Sequence, residues 1–280
     1  MTITVETLQF EARDGRTLMG TLYVPAASNG RAVLISGALG APRTRYDAYA
    51  SHLAAAGFRV LCFDFRGVGG SRAVHAASDP ATLRQWGEVD LPAALDCLAA
   101  RAPGARLLAV GHAEGGQWLG LAPNLAQVRG VLSVASGDGG WQRARGLARV
   151  RAGWQAWVAL PVATRLAERV RAGEGEVPAG VAREWARWRR HPAYFVDAAG
   201  RLLHLTFDTY RGPLLAYVID DDRLAPREAV IALHRRYRAA RVELREIAPH
   251  RGQRPIGRAG YFADENRALW PSGAAWLASA

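Results

Sequence analysis

The run Gly111-His112-Ala113-Glu114-Gly115 has the spacing of a reactive turn. It follows the apolar stretch Leu107-Leu108-Ala109-Val110 and leads into Gly116-Gln117, so a buried strand passes at once into the start of a helix. Glycines on both sides of a central residue, in the pattern G-x-S-x-G, let a strained turn lift one side chain clear of a sheet, normally a serine hydroxyl. Here the central residue is Ala113, which has no oxygen to attack with. Two neighbours carry polar groups. His112 is expected to pack or hydrogen-bond beneath the turn, and Glu114 could act as a base only if burial raises its pKa. Asp138 could also face such a site from further along the chain. No His/Cys/Asp grouping has metal-ligand spacing, so neither a metal nor a cofactor is expected. Gly67-Val68-Gly69-Gly70 follows a strand without forming a dinucleotide fingerprint.

The elements that must hold this turn are legible as apolar runs between turn residues. The opening reads as a hairpin, Ile3 to Glu11 and Thr17 to Val24 about an Asp14-Gly15 turn. Buried strands are expected at Ala32 to Ser36, Val60 to Phe65, Arg106 to Val110, Arg129 to Ser136, Leu214 to Ile219 and Val242 to Ile247. Helices are expected from about Arg45 to Ala56, stopped by Gly57, and from Leu83 to Arg101. Strands alternating with helices after an antiparallel opening indicate an α/β fold whose mostly parallel sheet is covered on both faces. Between Asp138 and about Leu205 the alternation stops. That helical insertion holds five of the nine tryptophans, Trp141, Trp154, Trp157, Trp185 and Trp188. Trp154 and Trp157 share a helix face, as do Trp185 and Trp188. They either pack the insertion on the main domain or line an apolar pocket beneath it.

At 280 residues the chain suits one large domain with an inserted cap. Its net charge of +11 would suggest an acidic partner, but all 36 basic residues are arginine, as codon bias in a GC-rich genome produces. The arginines are spread along the chain with no nucleic-acid-binding motif, so nucleic acid is not an expected partner. No apolar run approaches the ~20 residues that span a bilayer, and the start lacks the pattern of a signal peptide. Cytoplasmic residence is therefore expected. Cys62 and Cys97 read as buried thiols. An Arg- and Trp-rich insertion could touch a membrane surface, though nothing requires it.

Taken in order, Gly37-Ala38, Asp64-Phe65-Arg66-Gly67-Val68-Gly69-Gly70-Ser71, Trp86-Gly87-Glu88-Val89-Asp90, Gly111-His112-Ala113-Glu114-Gly115-Gly116-Gln117, Asp221-Asp222-Arg223-Leu224-Ala225-Pro226 and Ile256-Gly257-Arg258-Ala259-Gly260-Tyr261-Phe262 form a series. With these marks the chain resembles the α/β-hydrolase superfamily, in particular the bacterial esterase/lipase-like and serine-aminopeptidase-like hydrolases, from the first hairpin to the last helix. The resemblance implies an eight-stranded, mostly parallel sheet with an inserted helical cap, the core being residues 1–137 and 206–280 and the cap 138–205. It places the nucleophile at Ala113, the acid at Asp222 and the histidine at Arg258, so two of the three catalytic groups are missing. An arginine keeps its proton at any working pH and cannot serve as a general base. The oxyanion donors implied are the backbone N–H of Glu114 and one from the loop at Ala38 and Leu39.

Two readings of the pair Arg258 and Asp222 follow. It plugs an abandoned site, or Arg258 and the backbone donors hold a carboxylate or enolate. Asp222 is the expected partner of Arg258, with Glu114 second. The leading functional expectation is a noncovalent, non-hydrolytic catalyst acting on a small, largely apolar molecule with a carbonyl or carboxylate group, bound by Ala38, Leu39, Glu114, Trp154, Trp157 and Arg258. The rivals are a pseudo-enzyme binding a ligand or partner protein, and a residual ester or amide hydrolase using His250 or Glu114 with water. His250 lies eight residues before Arg258 and could reach the site if the loop folds back. The expected partners are a small-molecule ligand or substrate and, at most, a second copy of the chain.

Overall fold

A computed structural model of the protein describes residues 2–73, 79–249 and 254–280. The opening hairpin pairs β1 (Thr4–Glu11) with β2 (Thr17–Val24), in the register Thr4↔Val24 to Glu11↔Thr17. There follow β3 (Arg31–Ser36), helix α1 (Asp47–Ala55), β4 (Arg59–Phe63), helix α2 (Leu91–Arg101) and β5 (Arg106–His112). After the short helix α3 (Glu114–Trp118) comes β6 (Gly130–Val134). The insertion then contributes α4 (Leu147–Trp154), α5 (Leu160–Leu166), β7 (Arg169–Ala172), β8 (Gly175–Pro178) and α6 (Ala179–Arg190). The chain closes with β9 (Pro213–Ile219), α7 (Arg227–His234), β10 (Arg241–Ile247) and α8 (Trp270–Ser279).

Eight strands form one sheet in the order β1-β2-β4-β3-β5-β6-β9-β10, with β2 antiparallel to both its neighbours and the other pairings parallel. The central strands are apolar on both faces because helices cover both. Leu34, Leu61 and Ala109 point to one face, and their neighbours Val33, Val60 and Leu108 point to the other, against α1 and α8. At one edge, β10 alternates half-buried residues with the exposed charges Arg241, Glu243 and Arg245, which discourage further strand pairing.

Two features go beyond the sequence reading. The helix expected over Leu83 to Arg101 is interrupted by a π turn at Trp86–Asp90, and a second π turn, Gln155–Ala159, joins α4 to α5. Each ends two residues before a proline, Pro92 or Pro161. A proline inside a helix lacks the N–H for the i−4 carbonyl and its ring crowds that carbonyl, so the turn ahead of it widens. The insertion also contains the antiparallel hairpin β7–β8, whose tip donates the Glu174 N–H to the Leu39 carbonyl at 2.7 Å. Among the described residues no helix is long and apolar enough to cross a membrane.

Candidate active site

Ala113 stands between β5 and α3 with φ 52° and ψ −118°, a backbone that L residues adopt only at a cost of roughly 1–3 kcal/mol. Its N–H donates to the Val134 carbonyl at 2.9 Å, tying the turn to β6. The glycines around it are required by contact. A Cβ on Gly115 would lie 2.1 Å from the Ser36 carbonyl oxygen, and one on Gly111 would lie 2.5 Å from the Gly116 Cα. The turn is therefore pressed against the loop that follows β3, which brings Ala38 and Leu39 beside it.

The polar groups over Ala113 form one connected set. Arg258 Nη2 donates to Glu114 Oε1 at 2.6 Å, and Arg258 Nη1 stands 3.9 Å from Asp222 Oδ2. The order expected from the sequence is thus reversed, with Glu114 the direct partner of Arg258 and Asp222 at the limit of ion pairing. The reason lies in the turn, which aims the first side chain of α3 at the Arg258 loop, whereas Asp222 is held back by its own hydrogen bonds. Its Oδ1 accepts from the Leu224 and Ala225 N–H groups at 2.8 and 3.2 Å, while its Oδ2 is buried without a hydrogen-bond partner among the described residues. The neighbouring Asp221 accepts the Gly257 N–H at 2.8 Å, which anchors the Arg258 loop.

The other Glu114 oxygen, Oε2, accepts the Leu39 N–H at 3.4 Å. Burial pushes the Glu114 carboxyl up, but Arg258, the Glu114 N–H itself and the Leu39 N–H together hold it below its ordinary value. The expectation of a base raised by burial is overturned, because a guanidinium at 2.6 Å and two backbone donors outweigh desolvation. The Ala38 N–H is occupied too, donating to the Tyr46 hydroxyl at 2.8 Å. Tyr46 in turn meets His112 Nδ1 at 2.9 Å, and His112 Nε2 meets the Arg258 carbonyl at 2.9 Å. His112 thus lies beneath the turn, fully hydrogen-bonded. His250 lies outside the described residues.

Beside this set, between the insertion and the carboxyl ends of the strands, is a cavity of about 500 Å³. Glu114 and Arg258 reach it from the core, and Ala144, Ala148, Arg151, Ala152, Gln155, Trp185 and Arg189 from the insertion. Neither Trp154 nor Trp157 reaches it; they are 60% and 57% exposed. Ala148, Arg151, Ala152 and Gln155 recur at i, i+3, i+4 and i+7 and line the cavity, so Trp154 and Trp157 are turned to the outside. Trp157 lies under the Arg190 guanidinium. Asp138 pairs with Arg143 at 2.7 Å and is not among the residues lining the cavity. Residues the sequence reading passed over are Tyr46, Gln155 and Arg189. The i,i+4 spacing of Trp185 and Arg189 on α6 could have marked the last of these.

The sequence matches the profile of the Alpha/beta hydrolase family over residues 32–265, most of the chain. The chain belongs to the alpha/beta hydrolase family. No curated protein matches it significantly. Among solved structures, this alpha/beta hydrolase is similar to a hypothetical protein from Pseudomonas aeruginosa, at 19% identity and a TM-score of 0.63, with 99% of this chain and 94% of that one covered. It is also similar to DcsB in complex with its substrate analogue, at 12% identity, a TM-score of 0.65 and 99% coverage of both chains. An esterase from Pyrococcus furiosus shares 15% identity with a TM-score of 0.63, covering 98% of this chain and 91% of that one. At such identities the likeness is one of fold.

Proposed function

We propose that this alpha/beta hydrolase has given up serine chemistry and binds a small molecule without forming a covalent bond to it. In this reading residues 138–205 are a cap over a core of residues 1–137 and 206–280. Ala113 is the vacated nucleophile seat, Arg258 fills the histidine seat, and Asp222 is the acid left without its partner. The orphaned Oδ2 of Asp222 supports that history, because a buried carboxylate oxygen without a hydrogen bond is costly.

One observation carries the reading. The Glu114 carboxylate is ion-paired with Arg258 at 2.6 Å and accepts the Leu39 N–H at 3.4 Å, on the loop where an oxyanion would have to form. The protein supplies its own anion to the hole and holds it there with Arg258. A noncovalent catalyst that stabilises an oxyanion needs those donors free, and a residual hydrolase using Glu114 needs a carboxylate that is a better base. Both are disfavoured relative to a ligand-binding protein with an open cavity alongside.

Restoring the groups one at a time tests this assignment. Ala113→Ser alone should leave p-nitrophenyl acetate hydrolysis at background, since Arg258 cannot accept the serine proton. Ala113→Ser with Arg258→His should regain measurable turnover, with Asp222 orienting the new histidine. A competent esterase from Ala113→Ser alone would show that Arg258 does not occupy the base's position.

A further inference from the structure

The cavity has a surplus of positive charge that the groups over Ala113 leave unused. Among the described residues its wall carries four arginines, Arg151, Arg189, Arg223 and Arg258, and two carboxylates, Glu114 and Glu174. Both carboxylates are already paired, Glu114 with Arg258 at 2.6 Å and Glu174 with Arg45 at 3.3 Å. Arg151 and Arg223 are exposed, where water can solvate them. Arg189 is only 6% exposed, and no carboxylate among the described residues comes within 4.0 Å of its guanidinium.

Arg189 is held in a fixed pose. From α6 its guanidinium lies over the Trp185 ring, 4.5 Å from the ring centre, and Nη1 donates to Gln155 Oε1 at 3.0 Å. Among the described residues that is the one hydrogen bond it makes. A guanidinium has five N–H donors in a planar fork, so most of its donors are unpaired among the described residues in a side chain that lines the cavity. Burial pushes Arg189 below its ordinary value, with Tyr194 and Glu114 opposing, yet an arginine still keeps its proton. A buried cation without a counter-charge is strongly unfavourable. A ligand that brings the anion removes that penalty, and a planar fork fits a carboxylate through two parallel hydrogen bonds.

We propose that Arg189 is the anion-binding residue of this cavity and that its ligand is an organic carboxylate with an apolar body. The inference rests on the ligand-binding reading above and moves the carboxylate away from Arg258, which Glu114 already neutralises. Trp185, Ala144 and Ala152 supply the apolar wall, and about 500 Å³ is a usual size for a small-molecule pocket.

Isothermal titration calorimetry on the full chain, comparing octanoate with octanamide and cinnamate with cinnamamide, tests this. Each acid should bind at least about tenfold more tightly than its amide. Arg189→Gln should abolish that preference, while Arg190→Gln, whose guanidinium lies over Trp157 outside the cavity, should keep it. Equal affinity for acid and amide in the unaltered chain, or no binding of any of the four, overturns the proposal without recourse to a variant. So does an acid preference that survives Arg189→Gln. Ester hydrolysis by the unaltered chain would instead overturn the reading of lost chemistry and leave an acid preference standing.

Discussion

At the scale of single residues, His112 shows how the site is settled. Its Nε2 faces the Arg258 carbonyl, which can only accept, so Nε2 carries the proton. Its Nδ1 then accepts from the Tyr46 hydroxyl, whose oxygen accepts the Ala38 N–H. Every donor in this chain meets an acceptor only if the imidazole is neutral. Burial pushes His112 down to about 4, with the hydrogen bond to Arg258 partly opposing. Its folded value lies below the unfolded one of about 6.5. As pH falls from about 6.5 towards 4, the unfolded chain therefore takes up the proton first, and stability falls by about 1.4 kcal/mol per pH unit. His234, buried on α7 and also pushed down to about 4, adds to the loss with the same sign. NMR should find the His112 ring resonances unchanged from about pH 8 to 5, and the urea midpoint lower at pH 5 than at pH 7. A His112 titration centred near 6.5 would contradict the hydrogen-bonding scheme.

At the scale of elements, the strand-turn-helix unit β5–Ala113–α3 depends on the closeness of α3 to the loop after β3. Gly115→Ala places a methyl group 2.1 Å from the Ser36 carbonyl and 2.5 Å from that of Gly37, both backbone atoms that cannot swing aside. The substitution should cost about 3 kcal/mol or more, read as a fall in the urea midpoint. A variant as stable as the parent would mean that α3 can retreat from the loop. This unit was legible in the sequence because its signals are local, an apolar run, paired glycines and a helix start. The same holds for the opening hairpin, whose Asp14-Gly15 turn fixes its register. The π turn at Trp86–Asp90 was legible only as a break, since Pro92 interrupts the expected helix while packing decides whether the turn ahead of it widens or kinks. Not legible was the hairpin β7–β8, two strands of four residues with glycines at its turn and charged residues outside. The pairing of Arg258 with Glu114 in preference to Asp222 depends on which loops meet above the sheet, and the spacing of residues along the chain does not encode that.

At the scale of the whole molecule, insertion and sheet are joined by one apolar core. Leu34, Ala109, Trp86 and Trp118 on the core side are continuous with Leu160, Val177, Trp188 and Phe195 from the insertion. The insertion also touches the loop beside Ala113 directly, through the Glu174 N–H and the Leu39 carbonyl. The roof of the cavity and the loop at Ala38 and Leu39 are therefore one packed body. The tryptophans of the insertion divided accordingly. Trp185 and Trp188 on α6 turned inward, and Trp154 and Trp157 outward, which helical spacing alone could not decide because either face of α4 can be the inner one. The fold of the family is present, and the central residue of its strand-turn-helix unit, Ala113, carries no nucleophilic atom. Intact-mass spectrometry of the unaltered protein after incubation with an excess of a fluorophosphonate probe tests this most directly. An unshifted mass is expected, whereas stoichiometric gain of one phosphonyl group, mapped to a residue beside Ala113, would contradict the loss of serine chemistry.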